Sequence, residues 1–351
     1  EHVLEGGMRL LNAKGAAAIL MEVDTGRVIS LASLPDFDPN HRPGLPVRGS
    51  ADDSPLFNKA IQGVYELGST FKIFTVAQAL ELELVDPKTK INTKGPIRMG
   101  GHKINDYRNN GPELPVWQVI TESSNLGTAR IAKMIGPEKQ REFLSSLGFT
   151  KPTSIEMIEA SGGKPLLPKR WNELETMTIS YGHGLSATPL HLATGYATLA
   201  NGGRLVKPTL LEEEKLGLGQ QIISQEVAKN SLAMLRGVVT EGTASLADVN
   251  GYFVAGKTGT ADKPSAQGGY DKEKNITSFA SIFPVHEPKY VLVVTLDEAQ
   301  DTSGPEPKRT AGWTAVPVSA EIIARVAPLL GLRPKFDNKS SVGVTLSNWQ
   351  E

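Results

Sequence analysis

Two short apolar runs near the N-terminus flank a turn signal. Residues 16–23 and 28–34 are largely apolar, and Thr25-Gly26 lies between them. Runs of this length with a glycine-containing turn between them predict a β-hairpin. The next stretch, 35–68, is rich in Pro, Gly, Asp and Asn, so we expect it to be mostly loop.

Helical patterns dominate the middle of the chain. Over 71–82 the apolar residues surround the helix axis instead of forming one stripe, which predicts a buried central helix. Frequent Gly, Asn and Pro predict a loop over 92–115. The remainder up to residue 250 is predicted to be helices and loops, with helices at 126–135, 189–199 and 225–239.

Strand patterns return towards the C-terminus, at 252–255 leading into Lys257, at 277–283 and at 290–296. The short gaps between these runs favour antiparallel pairing. A closing helix is predicted over 316–330. Strands at both chain ends with a helical middle predict an α+β domain with one sheet, spanning 1–333, and a polar tail over 334–351.

Composition limits the classes of function. The chain has 351 residues, a net charge of −1 and no cysteine. Such a charge gives no electrostatic footprint for nucleic acid, and the lack of cysteine excludes disulfides and cysteine nucleophiles. The six histidines lack metal-site spacing, so we predict neither a metal nor a cofactor. Without a bilayer-length apolar run or a signal peptide, the chain is expected to be a soluble piece of a longer protein.

The first chemical motif lies where the buried helix begins, at residues 66–72, which read ELGSTFK. A helix cap followed by a solvated lysine is the simple interpretation of one Ser-x-x-Lys. Two features argue against it. A lysine in the first helical turn interacts unfavourably with the positive end of the helix dipole. The helix is also predicted to be buried on all sides, so the lysine would not be solvated. Burial would favour neutral Lys72, able to take a proton from Ser69 one turn earlier.

The second motif, Glu122-Ser123-Ser124-Asn125, directly precedes the helix predicted at 126–135. Ser124 or Asn125 could simply cap that helix. The functional alternative gives Ser123 a proton-relay role and lets the Asn125 amide hold a substrate backbone.

The third motif, at residues 256–260, reads GKTGT and lies on a predicted strand. An edge strand with an exposed lysine and a bulge at Gly259 is one interpretation. Close approach of a ligand to Gly259 is the other. In that case Lys257 supplies positive charge for a carboxylate, and Thr258 and Thr260 supply hydroxyls.

Each motif is weak alone, but the three in this order are the set found in serine β-lactamases and penicillin-binding proteins. The chain resembles the penicillin-binding proteins, and among them the class B, division-type peptidoglycan transpeptidases. Further segments carry the resemblance, which covers about residues 1–333: 15–20, 24–26, 32–40, 180–186 and 188–190. The Ser-Ser-Asn form at 123–125 is typical of the septal branch.

This resemblance implies a β-lactamase-like fold, in which a central antiparallel sheet flanked by helices lies beside a largely helical subdomain. It implies that Ser69 attacks a D-Ala-D-Ala stem peptide of peptidoglycan and that an amine of a second stem then takes the acyl group. Lys72 is the implied base, and the backbone N–H groups of Ser69 and Thr260 form the implied oxyanion hole. β-Lactam antibiotics are implied to acylate Ser69.

The resemblance also implies a location at the periplasmic face of the bacterial inner membrane and contacts with divisome proteins. Family members carry an N-terminal membrane anchor and a pedestal domain, both of which are expected to be missing here. One departure is that Leu67 stands before Gly68 where many relatives have proline. It touches no reacting group but can change the rigidity of the loop.

Two alternatives stay open. A D,D-carboxypeptidase or a serine β-lactamase shares the fold and the motifs but transfers the acyl group to water. The Glu173-Leu174-Glu175 segment does not reproduce the Glu-x-x-Leu-Asn pattern by which class A β-lactamases activate that water. A non-enzymatic scaffold of the same fold is the other alternative, and the complete set of motif residues argues against it.

Overall fold

The computed structural model describes residues 1–44, 51–212, 219–265 and 267–336. Within these ranges the helices and strands alternate along the chain in an α+β order. They are α1 (His2–Leu10), β1 (Gly15–Glu22), β2 (Val28–Leu34), α2 (Lys72–Glu81), β3 (Lys90–Asn92), β4 (Ile97–Met99), β5 (His102–Ile104), β6 (Glu113–Pro115), α3 (Val116–Thr121), α4 (Asn125–Ile135), α5 (Pro137–Ser146), α6 (Glu173–Ile179), α7 (Pro189–Ala200), α8 (Gln225–Thr240), β7 (Ala255–Pro264), β8 (Tyr270–Phe283), β9 (Tyr290–Asp297) and α9 (Ala315–Leu329).

The main sheet has five strands in the order β2-β1-β9-β8-β7, and every neighbouring pair is antiparallel. The first hairpin of the chain therefore joins the last strands, with Ile19 opposite Val293. β7 is an edge strand of this sheet in the described part of the chain. The predicted α+β class with one central antiparallel sheet is confirmed.

Helices cover both faces of the sheet. Almost every residue of β1 and β9 is buried, whichever face it points to, and continuous burial of this kind requires layers on both sides. α1 and α9 pack against each other and against the sheet, while α7 packs on β1, β8 and β9. Of the remaining helices, α8 packs directly on the edge strand β7, and α2 and α3 pack on α8, while α4, α5 and α6 complete a largely helical part.

α1 was not predicted from the sequence, because Gly6-Gly7 disfavours a helix locally. Tertiary packing outweighs that preference. A Cβ added at Gly7 would lie 2.6 Å from a methyl carbon of Val318 on α9, so only glycine permits this approach of the two helices. Leu4 of the same helix is buried in the main core.

The strand predictions, which relied on apolar runs, missed the polar strand segments. The first half of β8 is polar and mostly exposed, so the apolar pattern located only its buried half after Asn275. β7 runs from Ala255 to Pro264, so it includes the predicted strand position of residues 256–260 but begins later than the predicted apolar run at 252–255. The predicted loop at 92–115 contains β4 and β5, which pair with each other, and β6, which pairs with β3 at the start of the loop.

The start of the predicted polar tail is attached to the domain. The Lys335 N–H donates to the Gly251 carbonyl at 3.0 Å, so the backbone at the start of the tail is hydrogen-bonded to the domain. The rest of the tail, 337–351, lies outside the described residues, and its loose attachment stays a prediction. Over the described ranges, the helices are too short or too polar to traverse a lipid bilayer.

Candidate active site

Ser69 lies in a short 3₁₀ turn, Gly68–Phe71, that leads directly into α2. The Thr70 hydroxyl donates back to the Leu67 carbonyl at 2.8 Å, and Tyr196 donates its hydroxyl to the Thr70 carbonyl at 2.9 Å. Both bonds tie backbone carbonyl groups of the turn to side-chain hydroxyls. The serine is therefore held at the tip of a rigid turn and stays partly exposed.

Aromatic packing fixes the start of α2 in the core. Phe74 lies 5.6 Å from Phe71, 5.2 Å from Phe149 and 5.6 Å from Tyr196, measured between ring centroids. Edge-to-face pairs at these separations add to the burial of the rings. All residues of α2 except Glu81 are buried, as the sequence predicted for this helix.

Lys72 is fully buried at the first position of α2. Its Nζ donates to the Ser123 carbonyl and to Ser123 Oγ, the latter at 3.0 Å. Burial and, secondly, the nearby Lys257 amine lower the pKa of Lys72 well below its ordinary value. The neutral amine that this favours can accept a proton. These hydrogen bonds go to Ser123, so the reach of the amine to Ser69 stays a prediction.

Ser123 lies between two buried lysines. Its Oγ also accepts a hydrogen bond from Lys257 Nζ at 2.9 Å, and Lys257 further donates to the Thr258 carbonyl at 3.3 Å. Burial lowers the pKa of Lys257 to about 7. Ser123 itself has φ = 59°, in the left-handed region that non-glycine residues rarely adopt. The fold thus holds Ser123 in a strained backbone conformation, in which its hydroxyl oxygen accepts hydrogen bonds from both amines.

The helix cap of the second motif is a different serine. Ser124 is the N-cap of α4 and accepts from the Gly127 N–H at 2.9 Å. It donates to Asp106 Oδ2 at 2.7 Å, while Asp106 Oδ1 accepts from the Leu126 N–H at 2.8 Å. The capping interpretation is therefore right for Ser124 and leaves Ser123 free for the lysines.

Asp106 is a site residue that the sequence analysis missed. It lies in the loop after β5, where one carboxylate among Asn and Gly residues carries no spacing signal. In the structure it supports the Ser-Ser-Asn segment from outside, and Asn110 Nδ2 donates to it at 3.1 Å. From the same loop, the Asn105 carbonyl accepts from Asn125 Nδ2 at 3.0 Å, which orients Asn125 beside the site.

Two glycines bring the turn with Ser69 against β7. A Cβ added at Gly259 would lie 2.3 Å from the Leu67 carbonyl oxygen, and one at Gly68 would lie 2.8 Å from the Thr260 carbonyl oxygen. Gly68 also has φ = 56°, which favours glycine on conformational grounds. Larger residues at either position would separate the first motif from the third.

The bulge proposed at Gly259 is wrong. The pairing of β7 with β8 is regular through that residue, and the register shift comes later, between Asp262 and Lys263. Lys257 is fully buried, which overturns the exposed lysine of the edge-strand interpretation. Close approach explains Gly259, although the approaching group here is the protein's own Leu67 carbonyl.

The two threonines of the third motif are tied to neighbouring segments. Thr258 Oγ1 and Thr243 Oγ1 are 2.7 Å apart, and Thr260 Oγ1 accepts from the Ala311 N–H at 3.0 Å. A hydroxyl can make more than one hydrogen bond, so both remain able to meet a ligand. Thr243, which the sequence analysis did not single out, follows α8 and orients Thr258.

The geometry therefore unites all three motifs in one place. The family described as the penicillin binding protein transpeptidase domain matches residues 16–323. The chain belongs to this family. The predicted resemblance to penicillin-binding proteins is confirmed.

Individual relatives carry consistent names. The "Probable peptidoglycan D,D-transpeptidase FtsI" of Caulobacter vibrioides is 33% identical over 335 residues, which cover 92% of this chain and 55% of the relative. The "Peptidoglycan D,D-transpeptidase FtsI" of Buchnera aphidicola is 31% identical over 342 residues, covering 95% of this chain and 57% of the relative. The chain thus spans little more than half the length of these two relatives.

A solved structure agrees with the fold. The transpeptidase domain of penicillin-binding protein 3 from Burkholderia pseudomallei has a TM-score of 0.82 and 31% identity, and the match covers 96% of this chain and 94% of that one. The predicted β-lactamase-like transpeptidase fold is confirmed. The boundary at residue 333 and the roles of the individual site residues stay predictions.

Proposed function

We propose that this chain is the acyl-transferring domain of a serine D,D-transpeptidase, which crosslinks the stem peptides of peptidoglycan. The observation that carries the proposal is the position of Ser123 Oγ, hydrogen-bonded to both buried lysine amines beside the turn that presents Ser69. A nucleophile, a neutral amine and a relay hydroxyl are what acyl transfer through a covalent intermediate requires.

In the first half-reaction, Ser69 Oγ attacks the carbonyl carbon of the penultimate D-alanine, and the Ser69 proton passes to the Lys72 amine. The carbon–nitrogen bond to the last D-alanine breaks. Ser123, bonded to Lys72, passes its proton to the leaving amine and is reprotonated by the Lys72 ammonium, which returns to the neutral amine. The products are free D-alanine and an ester of Ser69 with the stem peptide.

In the second half-reaction, an amine of a neighbouring stem attacks the ester carbonyl and gives up a proton, which returns to Ser69 as its oxygen leaves. The backbone N–H groups of Ser69 and Thr260 stabilise the oxyanion in both steps. The Lys257 amine binds the terminal carboxylate of the donor stem, with Thr258 and Gly259 alongside. Asn125 holds the donor backbone.

The biological setting belongs to the same proposal. Curated relatives are named peptidoglycan D,D-transpeptidases, and the Ser-Ser-Asn segment at 123–125 is the form typical of the septal branch. We therefore place the whole protein at the periplasmic face of the bacterial inner membrane, working with divisome proteins during septum formation. A fluorescent fusion of the intact protein should concentrate at midcell in dividing cells, and uniform labelling of the side wall would contradict the septal assignment.

The chemistry is tested with a labelled penicillin, which mimics D-Ala-D-Ala. Intact-mass measurement should show one adduct on the wild-type chain and none on Ser69→Ala, with Ser161→Ala, an exposed serine elsewhere, as the matched control. The adduct should persist for many minutes. Loss of the adduct within seconds would identify a hydrolase instead, and a wild-type chain that takes up no label would contradict acyl transfer.

A further inference from the structure

Glu66, three residues before Ser69, accepts hydrogen bonds from two other segments of the chain. Its Oε1 accepts from the Gly184 N–H at 2.7 Å and from the Tyr270 hydroxyl at 3.0 Å. Its Oε2 lies 3.0 Å from Nδ1 of His183. The side chain is only 10% exposed, so the carboxylate contacts these partners and little solvent.

The same interface is closed by glycine backbone. The Gly68 N–H donates to the Gly182 carbonyl at 3.2 Å, and a Cβ added at Gly182 would lie 2.0 Å from the Gly68 carbonyl oxygen. On its other side Gly68 lies against Thr260 of β7. The loop after α6, the turn with Ser69 and β7 are thus stacked with no room between them. Glu66 is at the edge of this stack.

The rings of His183 and Tyr270 contact the carboxylate, and the Tyr181 ring packs on His183. The His183 ring lies 5.3 Å from Tyr181 and 5.7 Å from Tyr270, the latter in an edge-to-face arrangement. Burial and, secondly, the Glu66 charge raise the pKa of Tyr181 to about 12, and burial also raises the pKa of Tyr270. Both phenols therefore stay neutral near pH 7, so Tyr270 keeps the proton that it donates to Glu66.

We propose that Glu66 is a positioning residue for acyl transfer, which fixes the Ser69 turn between the loop at 182–184 and the start of β8. The inference rests on the proposed function. Glu66 does not bind substrate itself, because its oxygens already have three partners and little exposure. It acts through the Ser69 N–H and hydroxyl, whose placement against Thr260 decides how well an oxyanion is stabilised. The hydrogen bonds of Glu66 are more important for fixing the turn than they would be with proline at position 67, because leucine does not lock its own φ angle.

Glu66→Ala is the decisive variant. We expect the second-order rate constant for acylation by labelled penicillin, counted per titratable Ser69, to fall about 10- to 100-fold, mainly in the limiting acylation rate and not in penicillin affinity. Glu66→Gln should remain within about threefold of wild type, because its amide oxygen still accepts from Gly184 and Tyr270 and its amide nitrogen can donate to the His183 ring. Rescue of this kind would show that geometry, not charge, is what Glu66 supplies.

Glu156→Ala is the matched control. Glu156 also ties two loops, accepting from the Thr209 hydroxyl at 3.0 Å and the Leu210 N–H at 2.8 Å, but it touches none of the motif residues. Its loss should leave acylation within about threefold of wild type. Equal losses in Glu66→Ala and Glu156→Ala, or a wild-type rate in Glu66→Ala, would overturn the positioning role.

Hydrogen–deuterium exchange separates this inference from the proposed function. Glu66→Ala should speed amide exchange in 66–71 and 181–185, whereas Glu66→Gln and Glu156→Ala should not. Unchanged exchange in both segments would refute the role of Glu66. If the wild-type chain took up no penicillin while Glu66→Ala still loosened these segments, acyl transfer would be wrong and the positioning by Glu66 would stand. Should Glu66→Ala fail to fold, Tyr270→Phe, which removes one donor, should still slow acylation about two- to fivefold.

Discussion

Strand β7 carries one lysine in each of two contrasting environments. Near its start, Lys257 is buried with Lys72, and the hydrogen bonds of both amines go to hydroxyl and carbonyl oxygens. Near its end, Lys263 donates to Asp297 at 2.7 Å and to Glu298 at 2.8 Å, and its side chain is 19% exposed. The two regions differ in whether carboxylates accompany the buried amine.

The pKa values follow this difference. Burial lowers the pKa of Lys72 and of Lys257. For Lys263, burial also acts to lower the pKa, but the hydrogen bonds to the two carboxylates outweigh it and the pKa is raised. Burial alone therefore does not make a lysine a base. At the site the hydrogen bonds of Lys72 go to Ser123, the Asp106 charge raises its pKa only from a distance, and burial outweighs that effect.

The largest effect should come from giving the first region an amine that cannot be neutral. Lys72→Arg keeps a long cationic side chain, but a guanidinium does not lose its proton in a protein. We expect acylation of Ser69 by labelled penicillin to slow about 10²- to 10⁴-fold, the usual contribution of a general base. Lys263→Arg is the matched control and should acylate within about threefold of wild type. An active Lys72→Arg would mean that no neutral amine is needed there.

The second effect concerns stability and should appear in the other region. Lys263→Met removes the cation from a carboxylate pair in which Asp297 is largely buried and its pKa already raised by burial. Unpaired buried charge is costly, so we expect the free energy of unfolding to fall by about 2 to 4 kcal/mol at pH 7, measured by urea titration. Acylation per folded molecule should change little. A variant as stable as wild type would show that the ion pair contributes nothing.

These two regions also mark how far the sequence could be interpreted. The site motifs could be predicted because a lysine in an apolar helix and a glycine within a strand are both unfavourable for local structure. Residues of this kind are expected mainly at functional sites. Ser69, Lys72, Ser123 and Lys257 come from three segments that the order of motifs correctly grouped. The buried half of the main sheet was equally visible as apolar runs.

What the sequence did not reveal depends on contacts across the fold. Asp106 and Thr243 act only by orienting Ser124 and Thr258, and single polar residues in loops have no pattern that identifies their partners. The choice between Ser124 and Asn125 as the helix cap was settled only by the hydrogen bond from the Gly127 N–H to Ser124 Oγ. α1 was missed for a related reason, since its glycines are explained by the surface of α9 and not by helix propensity.

The smallest expected effect is a pH dependence that sharpens the contrast between the two lysines of β7. The folded-state pKa of Lys257 is about 7, well below the ordinary 10.5, so in the free protein its amine loses its proton as pH rises through about 7. Its proposed partner is a carboxylate, which needs the protonated form. We therefore expect kcat/KM for acylation by a penicillin to fall above about pH 7, approaching tenfold per pH unit, since this constant reports groups of the free enzyme.

Three controls make that profile specific. Lys257→Arg carries a charge that does not titrate, so its profile should lack the fall above pH 7 even if its absolute rate is lower. A penicillin methyl ester, which has no carboxylate for Lys257 to bind, should acylate the wild-type chain slowly but without the same fall. Lys263→Arg should keep the wild-type profile, because its paired amine stays protonated throughout this range. If the acid and the ester showed identical profiles, the carboxylate would have to be bound elsewhere, and the contrast within β7 would be one of stability alone.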